Sequence, residues 1–234
     1  MAHEHGEVWE QFAVALAEMA RDLLAQDSVQ DTLDRIVDHA TVLINGCDDA
    51  GILTVRRGEV QALAATSDVV RRADRIQQDL GEGPCFDAVT NRQQIYAIDD
   101  LSRPNERWSR FVPELRKLGM GSMMGILLFT EDDELGALNL YSRQPRAFDE
   151  AARRAGWILA SHAAVAFSAS RTHQQLGHAL ETRHEIGEAM GILMERYKLT
   201  EDTAFKLLKK ASQDQNIKLR AIARQICETG DKPG

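Results

Sequence analysis

Cysteine, proline and aromatic residues are all scarce in this 234-residue chain, which holds 3 Cys, 5 Pro, 3 Trp and 3 Tyr. Cys47, Cys85 and Cys227 show no pairing spacing, which argues against a disulfide framework and fits a reducing cytoplasm. The longest apolar run, Met120 to Phe129, is far too short for a bilayer span, so no membrane partner is expected. The N-terminus, with His3, Glu4, His5 and Glu7, lacks the basic-then-apolar order of a signal peptide. A nucleophile elbow, a His-Glu-x-x-His pair, a Cys-x-x-Cys pair and a P-loop are missing as well, so no enzyme activity and no metal site are predicted. Proline is also absent from Asp149 to Lys198, which predicts a nearly continuous helix there.

What is present divides by charge. Residues 1–170 carry 17 Lys and Arg against 27 Asp and Glu, a net −10, whereas residues 171–234 carry 11 against 9, a net +2. In the tail, Ile186, Met190, Leu193 and Tyr197 recur at three and four residues and define one face of a helix ending near Lys198. Thr200, followed by Glu201 and Asp202, has the chemistry of an N-cap, and Ala204, Phe205, Leu208 and Ala211 point inward from the helix it opens. The polar stretch Ser212 to Gln215 is expected to break that pattern. Asn216 can then cap a third helix whose stripe is Leu219, Ile222, Ala223 and Ile226, before a left-handed stop at Gly230. Lys206, Lys209 and Lys210 share one side of the second helix, and Arg220 and Arg224 share one side of the third, on surfaces that folding does not require. Ordinary solvated faces are the bland account. The local positive charge, joined by Ser212, Gln213 and Asn216 as hydrogen-bonding groups, favours a polyanion.

Arg183, Ile186, the run Ala189 to Met194 (AMGILM), Ala204-Phe205, Leu208, Ser212, Asn216 and Lys218-Leu219-Arg220 resemble the ANTAR family of RNA-binding output domains. The resemblance implies binding of RNA stem-loops in leader transcripts and transcription antitermination. It places Lys209, Lys210, Ser212, Asn216, Lys218 and Arg220 toward RNA, with Lys206 and Arg224 completing the two cationic clusters, and Ile186, Leu193, Phe205 and Leu208 in the core. A bundle that contacts a protein partner is the main alternative. DNA binding through the third helix is another, although the basic helices lack a helix-turn-helix layout. His184-Glu185 could mark a phospho-accepting histidine, but the remaining ~50 residues leave no room for a catalytic domain, so His184 reads as surface or seam. Gly187 and Gly191 each cost about 1 kcal/mol relative to alanine, and close approach of another helix is the expected compensation. Cys227 reads as a small apolar contact.

The front of the chain predicts an α+β fold. Gln30 to Ile44 reads as an amphipathic helix, Asp49 to Val55 and Glu59 to Ala65 as a hairpin turning at Arg56 to Gly58, and Met123 to Phe129 with Leu135 to Tyr141 as a second antiparallel pair around the acidic turn Glu131 to Glu134. One antiparallel sheet with helices over it follows. The phrases Leu80 to Cys85 (LGEGPC), Ile98 to Leu101, Arg107-Trp108, Gly119 and Leu135 to Ser142 (LGALNLYS) look like a GAF domain over roughly Ser28 to Ala169. That resemblance implies a sensor for a small molecule, of unknown identity, held between the sheet and its overlying loops, and a role in dimer contacts. Cys85 and Trp108 are the candidate pocket residues. Each also has a plainer account: Cys85 as a packed thiol rather than a redox or chromophore site, and Trp108 as core filling. Gly81-Glu82-Gly83 lacks the Lys-Ser/Thr ending of a phosphate loop and reads as a tight turn, Gly119 to Gly125 fails the same test, and His39 and His162 read as polar helix edges rather than ligands.

The organisation expected is an N-terminal helix over 1–26, a GAF-like domain over 27–169, a helical linker over 170–182 and an ANTAR-like bundle over 183–230. Ala169, Leu176, Leu180, Gly187, Met190, Met194 and Tyr197 fit alternating steps of three and four along the long helix, interrupted by His173 and Arg183. A homodimer through that seam, or packing against the N-terminal stripe Trp9, Phe12, Leu16, Met19 and Leu23, would cover it.

Overall fold

The computed structural model describes residues 2–56, 59–91, 94–130 and 134–231. The expected turns at 57–58 and 131–133, and the chain end from 232, lie outside the described residues. In chain order the elements are α1 (Ala2–Leu24), α2 (Val29–Leu43), β1 (Asp49–Arg56), β2 (Glu59–Ala65), α3 (Asp68–Leu80), α4 (Pro84–Asn91), β3 (Ile95–Ile98), α5 (Phe111–Lys117), β4 (Ser122–Phe129), β5 (Glu134–Ser142), α6 (Glu150–Tyr197), α7 (Glu201–Gln215) and α8 (Leu219–Thr229). They fall into two compact units, Met1–Arg171 and Thr172–Gly234.

The first unit is an α+β layer structure around a five-stranded antiparallel sheet of order β2-β1-β5-β4-β3. Alternation along the central strands sends side chains to two different cores. Met124, Ile126 and Leu128 of β4, with Leu138 and Leu140 of β5, pack on α1, α2 and the first half of α6. Met123, Ala137 and Tyr141 face the other way, onto α3, α4 and α5. Both faces are thereby covered, which explains why these strands read as continuous apolar runs.

Local chemistry fixes the ends of the helices. Ser28 caps α2 by accepting from the Asp31 N–H at 3.0 Å. Asp22 on α1 pairs with Arg35 Nε and His39 Nε2 of α2, each at 2.8 Å, so His39 is a satisfied polar edge. The stripe on α1 is real, with Leu16, Met19 and Leu23 buried in the first core. Gly81 ends α3 in the left-handed region at φ 60°, so the Gly81-Glu82-Gly83 segment is the expected turn. Glu82 beside it caps α5 from a distance, accepting from the Arg110 and Phe111 N–H groups at 2.8 and 3.1 Å. Gly156 lets α6 lie close on the sheet, since a Cβ there would sit 2.8 Å from Ile126 Cδ1.

Gly136 opens β5 at φ +145°, and a Cβ on it would run into the backbone carbonyl of Leu53 on β1. Backbone cannot yield as a side-chain tip can. Gly136→Ala is therefore expected to lower unfolding stability by about 2–4 kcal/mol, read from the urea midpoint, while Gly81→Ala, with open space around its Cβ, costs only about 1 kcal/mol. Equal effects would remove the steric account.

Candidate nucleic-acid interface

The second unit folds around Ala189, Leu193, Ala204, Leu208, Ala211, Ile222, Ala223 and Ile226, all buried. Thr200 caps α7 as expected, its Oγ1 accepting from the Thr203 N–H at 3.4 Å. Gly230 ends α8 at φ 70°, and its carbonyl accepts from Arg196 Nη1 at 2.6 Å. Two expectations fail here. The stretch from Ser212 to Gln215 does not break the helix, because buried Ala211 keeps α7 in register through Gln215. Asn216 consequently ends α7 instead of opening α8; it sits at φ 53°, a left-handed conformation its short amide side chain tolerates, and Lys218 takes the position before α8 without a side-chain cap.

Phe205 is also not core. Its side chain is 42% exposed, whereas Leu193 and Leu208 are fully buried and Ile186 is half-buried. One turn of α7 can bury Ala204 and Leu208 only if Phe205 rotates outward. Among the described residues of the single chain, a Cβ on Gly187 or Gly191 would find nothing within 4 Å, so no other helix of the same chain approaches them. Cys227 is a half-buried apolar contact, and His184 is exposed.

The cations separate into two kinds. Lys209, Lys210 and Lys218 are exposed and make no ion pair among the described residues. Lys206 pairs with Asp202 one turn away at 2.5 Å, both exposed, where such a pair contributes little. Arg220 and Arg224 are engaged in ion pairs instead of standing free in water. Arg220 Nε donates to Glu185 Oε2 at 2.6 Å and Arg224 Nη2 to Glu185 Oε1 at 3.1 Å, joining α8 to α6. The hydrogen bond from Arg220 holds the Glu185 carboxyl below its ordinary range. Ser212 Oγ donates to the Ile217 carbonyl at 2.6 Å and so braces the α7–α8 turn.

The pocket candidates of the first unit are both interior. Trp108 is buried against Tyr96, edge to face at 5.8 Å, and its Nε1 donates to Asp87 Oδ2 at 3.1 Å. Cys85 is fully buried at the start of α4, its thiol bonded to Asn139 Oδ1, and burial pushes it well above its ordinary value. Around it lies a polar cluster that the sequence reading missed. Asp74 Oδ1 accepts from Asn139 Nδ2 at 3.3 Å and Tyr141 Oη at 3.5 Å, while Asp74 Oδ2 and Gln77 Nε2 find no partner among the described residues. The signal was available, because Asp74 and Gln77 share the buried stripe of α3 with Val70 and Ala73. An open groove of about 550 Å³ lies elsewhere, between α1, α2 and the start of α6, lined by Trp9, Phe12, Val42 and Ala155. Among the described residues no three His, Cys, Asp or Glu side chains are placed to hold a metal ion, and no helix is long and apolar enough to cross a membrane.

The chain belongs to the GAF domain family, whose model matches residues 26–168. An ANTAR domain model matches residues 174–226, giving the order GAF then ANTAR of a GAF–ANTAR regulator. Among solved structures, the GAF domain of an Acinetobacter phosphoenolpyruvate-protein phosphotransferase is 17% identical with a TM-score of 0.56, covering 70% of this chain and 98% of its own. The domain of a putative two-component sensor histidine kinase from Sinorhizobium meliloti is 16% identical at TM-score 0.52, over 64% and 97% respectively. The photosensory core module of a Stigmatella aurantiaca phytochrome is 12% identical at 0.58, covering 87% of this chain and 44% of that one. These likenesses establish the fold of the first unit. No curated protein matches the chain.

Burial pushes the Asp74 carboxyl up to about 7 from the 3.8 of a solvated aspartate. The unfolded chain then loses this proton at lower pH than the folded one. The contribution of Asp74 to stability is full below pH ~4 and falls as pH rises to ~7, by up to about 4 kcal/mol. Urea unfolding of the protein and of Asp74→Asn across that window tests this: the substitution is expected to flatten the slope, and an unchanged profile would assign it to other groups.

Proposed function

We propose that the chain is a cytoplasmic, ligand-responsive RNA-binding regulator that acts by transcription antitermination. The observation that carries this reading is the open cationic surface of Lys209, Lys210 and Lys218 in a segment that matches the ANTAR domain. ANTAR domains as a family bind stem-loop RNA in leader transcripts, and lysines in water are suited to phosphate contacts because neutralising them releases counterions. Ser212 in the last turn of α7 and Asn216 at its end lie on the α7 side of the α7–α8 turn, where Asn216 can reach a sugar or base edge. No catalytic role is proposed.

The first unit is the sensor. Its small-molecule site is proposed at the buried polar cluster around Cys85, with Trp108 in the same packed layer; the unpartnered Asp74 Oδ2 and Gln77 Nε2 offer an acceptor and a donor. The long helix is proposed to pair with a second copy. Residues 172–181 of α6 are exposed all round, and Leu176 and Leu180 are 57% and 60% exposed at a spacing of four. A homodimer would present two bundles, so two linked stem-loops could be held at a much higher effective concentration.

A protein partner for the bundle is the second reading, favoured by Phe205 and Ile217, each 42% exposed. The lysines nearby weigh against it, because interface cores are depleted of lysine.

Binding of stem-loop RNA and of duplex DNA, titrated with salt, separates these readings. Lys209→Glu with Lys210→Glu, folded by circular dichroism, is expected to weaken stem-loop binding at least about tenfold and to flatten its salt dependence; unchanged binding would remove this surface from the RNA contact. For the assembly, native mass spectrometry is expected to give a dimer that Leu176→Glu with Leu180→Glu converts to monomers. A monomeric unsubstituted protein at micromolar concentration would end the pairing proposal.

A further inference from the structure

Two guanidinium groups of α8 converge on one carboxylate of α6. Arg220 approaches Glu185 with both Nε and Nη2, at 2.6 and 3.3 Å, and Arg224 Nη2 reaches the same Oε1 at 3.1 Å. Glu181 Oε2 takes a further bond from Arg220 Nη2 at 3.3 Å. Forked donors aimed at two oxygens of one anion suit the non-bridging oxygens of a phosphodiester as well as they suit a carboxylate.

Geometry and burial distinguish a binding subsite from a folding staple. The helix α8 is held by Ile222, Ala223 and Ile226, which are fully buried, so its attachment does not rest on the ion pairs. The guanidiniums themselves remain accessible, with the Arg224 side chain 56% and the Arg220 side chain 32% exposed. The Arg220–Glu185 pair is half-buried and the Arg224 side of the cluster is exposed, so water reaches it and screens it, and a polyanion that releases counterions on binding can displace such a carboxylate. Glu185 stays ionised at neutral pH, so it competes with phosphate as one anion with another.

We propose that Arg220 and Arg224 form a phosphate subsite of the RNA surface and that Glu185 is its intramolecular occupant, which RNA must displace. The proposal rests on the RNA-binding reading above. It makes Glu185 an affinity-setting residue. Lys209 and Lys210 supply the first electrostatic contacts, and the arginines engage only when the RNA backbone takes the place of the carboxylate.

The test uses the full chain and a stem-loop RNA of arbitrary sequence, because phosphate contacts do not depend on base identity. Glu185→Gln is expected to tighten binding roughly tenfold at low salt and to steepen the slope of log affinity against log salt by about one to two, as extra phosphates are neutralised. Glu188→Gln removes the same charge from the same helix without touching either arginine and is expected to change the slope little. Adding Arg220→Gln and Arg224→Gln to Glu185→Gln is expected to erase the gain. Glu181→Gln, which frees a single bond, is expected to act in the same direction and less strongly; it keeps the question answerable if Glu185→Gln does not fold. Binding by Glu185→Gln that is equal to that of Glu188→Gln, or weaker than that of the unsubstituted protein, overturns the proposal and leaves Glu185 as a staple. Failure of the unsubstituted protein to bind any stem-loop removes the RNA reading itself, a result distinct from the other two.

Discussion

An ionised group removed from water without a counter-charge costs several kcal/mol, and each unit of this chain meets that constraint in its own way. In the sensor unit Asp74 is buried among Cys85, Asn139 and Tyr141 with no ion pair among the described residues, and burial raises its carboxyl toward neutrality against the weaker pull of Arg71. In the bundle Glu185 stays near the surface, keeps its charge and collects two arginines. One solution leaves a polar cluster inside an apolar layer, where it can be reorganised by a proton or a ligand. The other leaves a charged contact in water, where it can be exchanged for another anion.

Much of the architecture was legible because it rests on local periodicity. The strands β1, β2, β4 and β5 and the helix α2 were readable as apolar runs or stripes bounded by polar caps, and Thr200 marked the start of α7 by its hydroxyl and the two acidic residues after it. What was not legible depends on partners distant in sequence. The stripe of α3 contains Asp74 and Gln77, so its apolar signal is diluted, and only their spacing with Val70 and Ala73 points to their burial. The strand β3 has four residues, too few for alternation to register, and α5 takes its cap from Glu82, 28 residues before Arg110. The central pairing of β1 with β5 joins residues such as Ile52 and Leu138, which no local pattern relates.

The same distinction governs the candidate interface. Spacing alone put Lys209 and Lys210 outside, because neighbouring positions of α7 were needed for Ala204, Leu208 and Ala211. It misjudged Phe205, since apolar character is no guide to orientation when three smaller residues already fill a helix face. It also misjudged the arginines: Arg220 and Arg224 stand 35 and 39 residues from Glu185, and only the return of α8 along α6 brings them together. Asn216 was recognised as a terminus residue, but the backbone sign that decides between opening and ending a helix is not written in the residue type.

These corrections sharpen the functional argument. If all the basic residues of the bundle stood free in water, affinity for RNA would follow total positive charge, and any polyanion would compete. A net excess of only +2 in residues 171–234, beside −10 in the rest, makes such indiscriminate attraction weak at physiological salt. Pairing two arginines with Glu181 and Glu185 leaves that net charge unchanged but removes their guanidiniums from the set of free local cations. Local attraction then rests on cations such as Lys209, Lys210 and Lys218, and full engagement requires an anion positioned well enough to replace a bidentate carboxylate. A folded stem-loop presents phosphates at fixed separations, and a flexible single strand must pay ordering entropy to do the same. On the proposed RNA-binding reading, such an arrangement would favour structured RNA over other polyanions without a single base contact, and would leave sequence discrimination to groups near Asn216 and the α7–α8 turn.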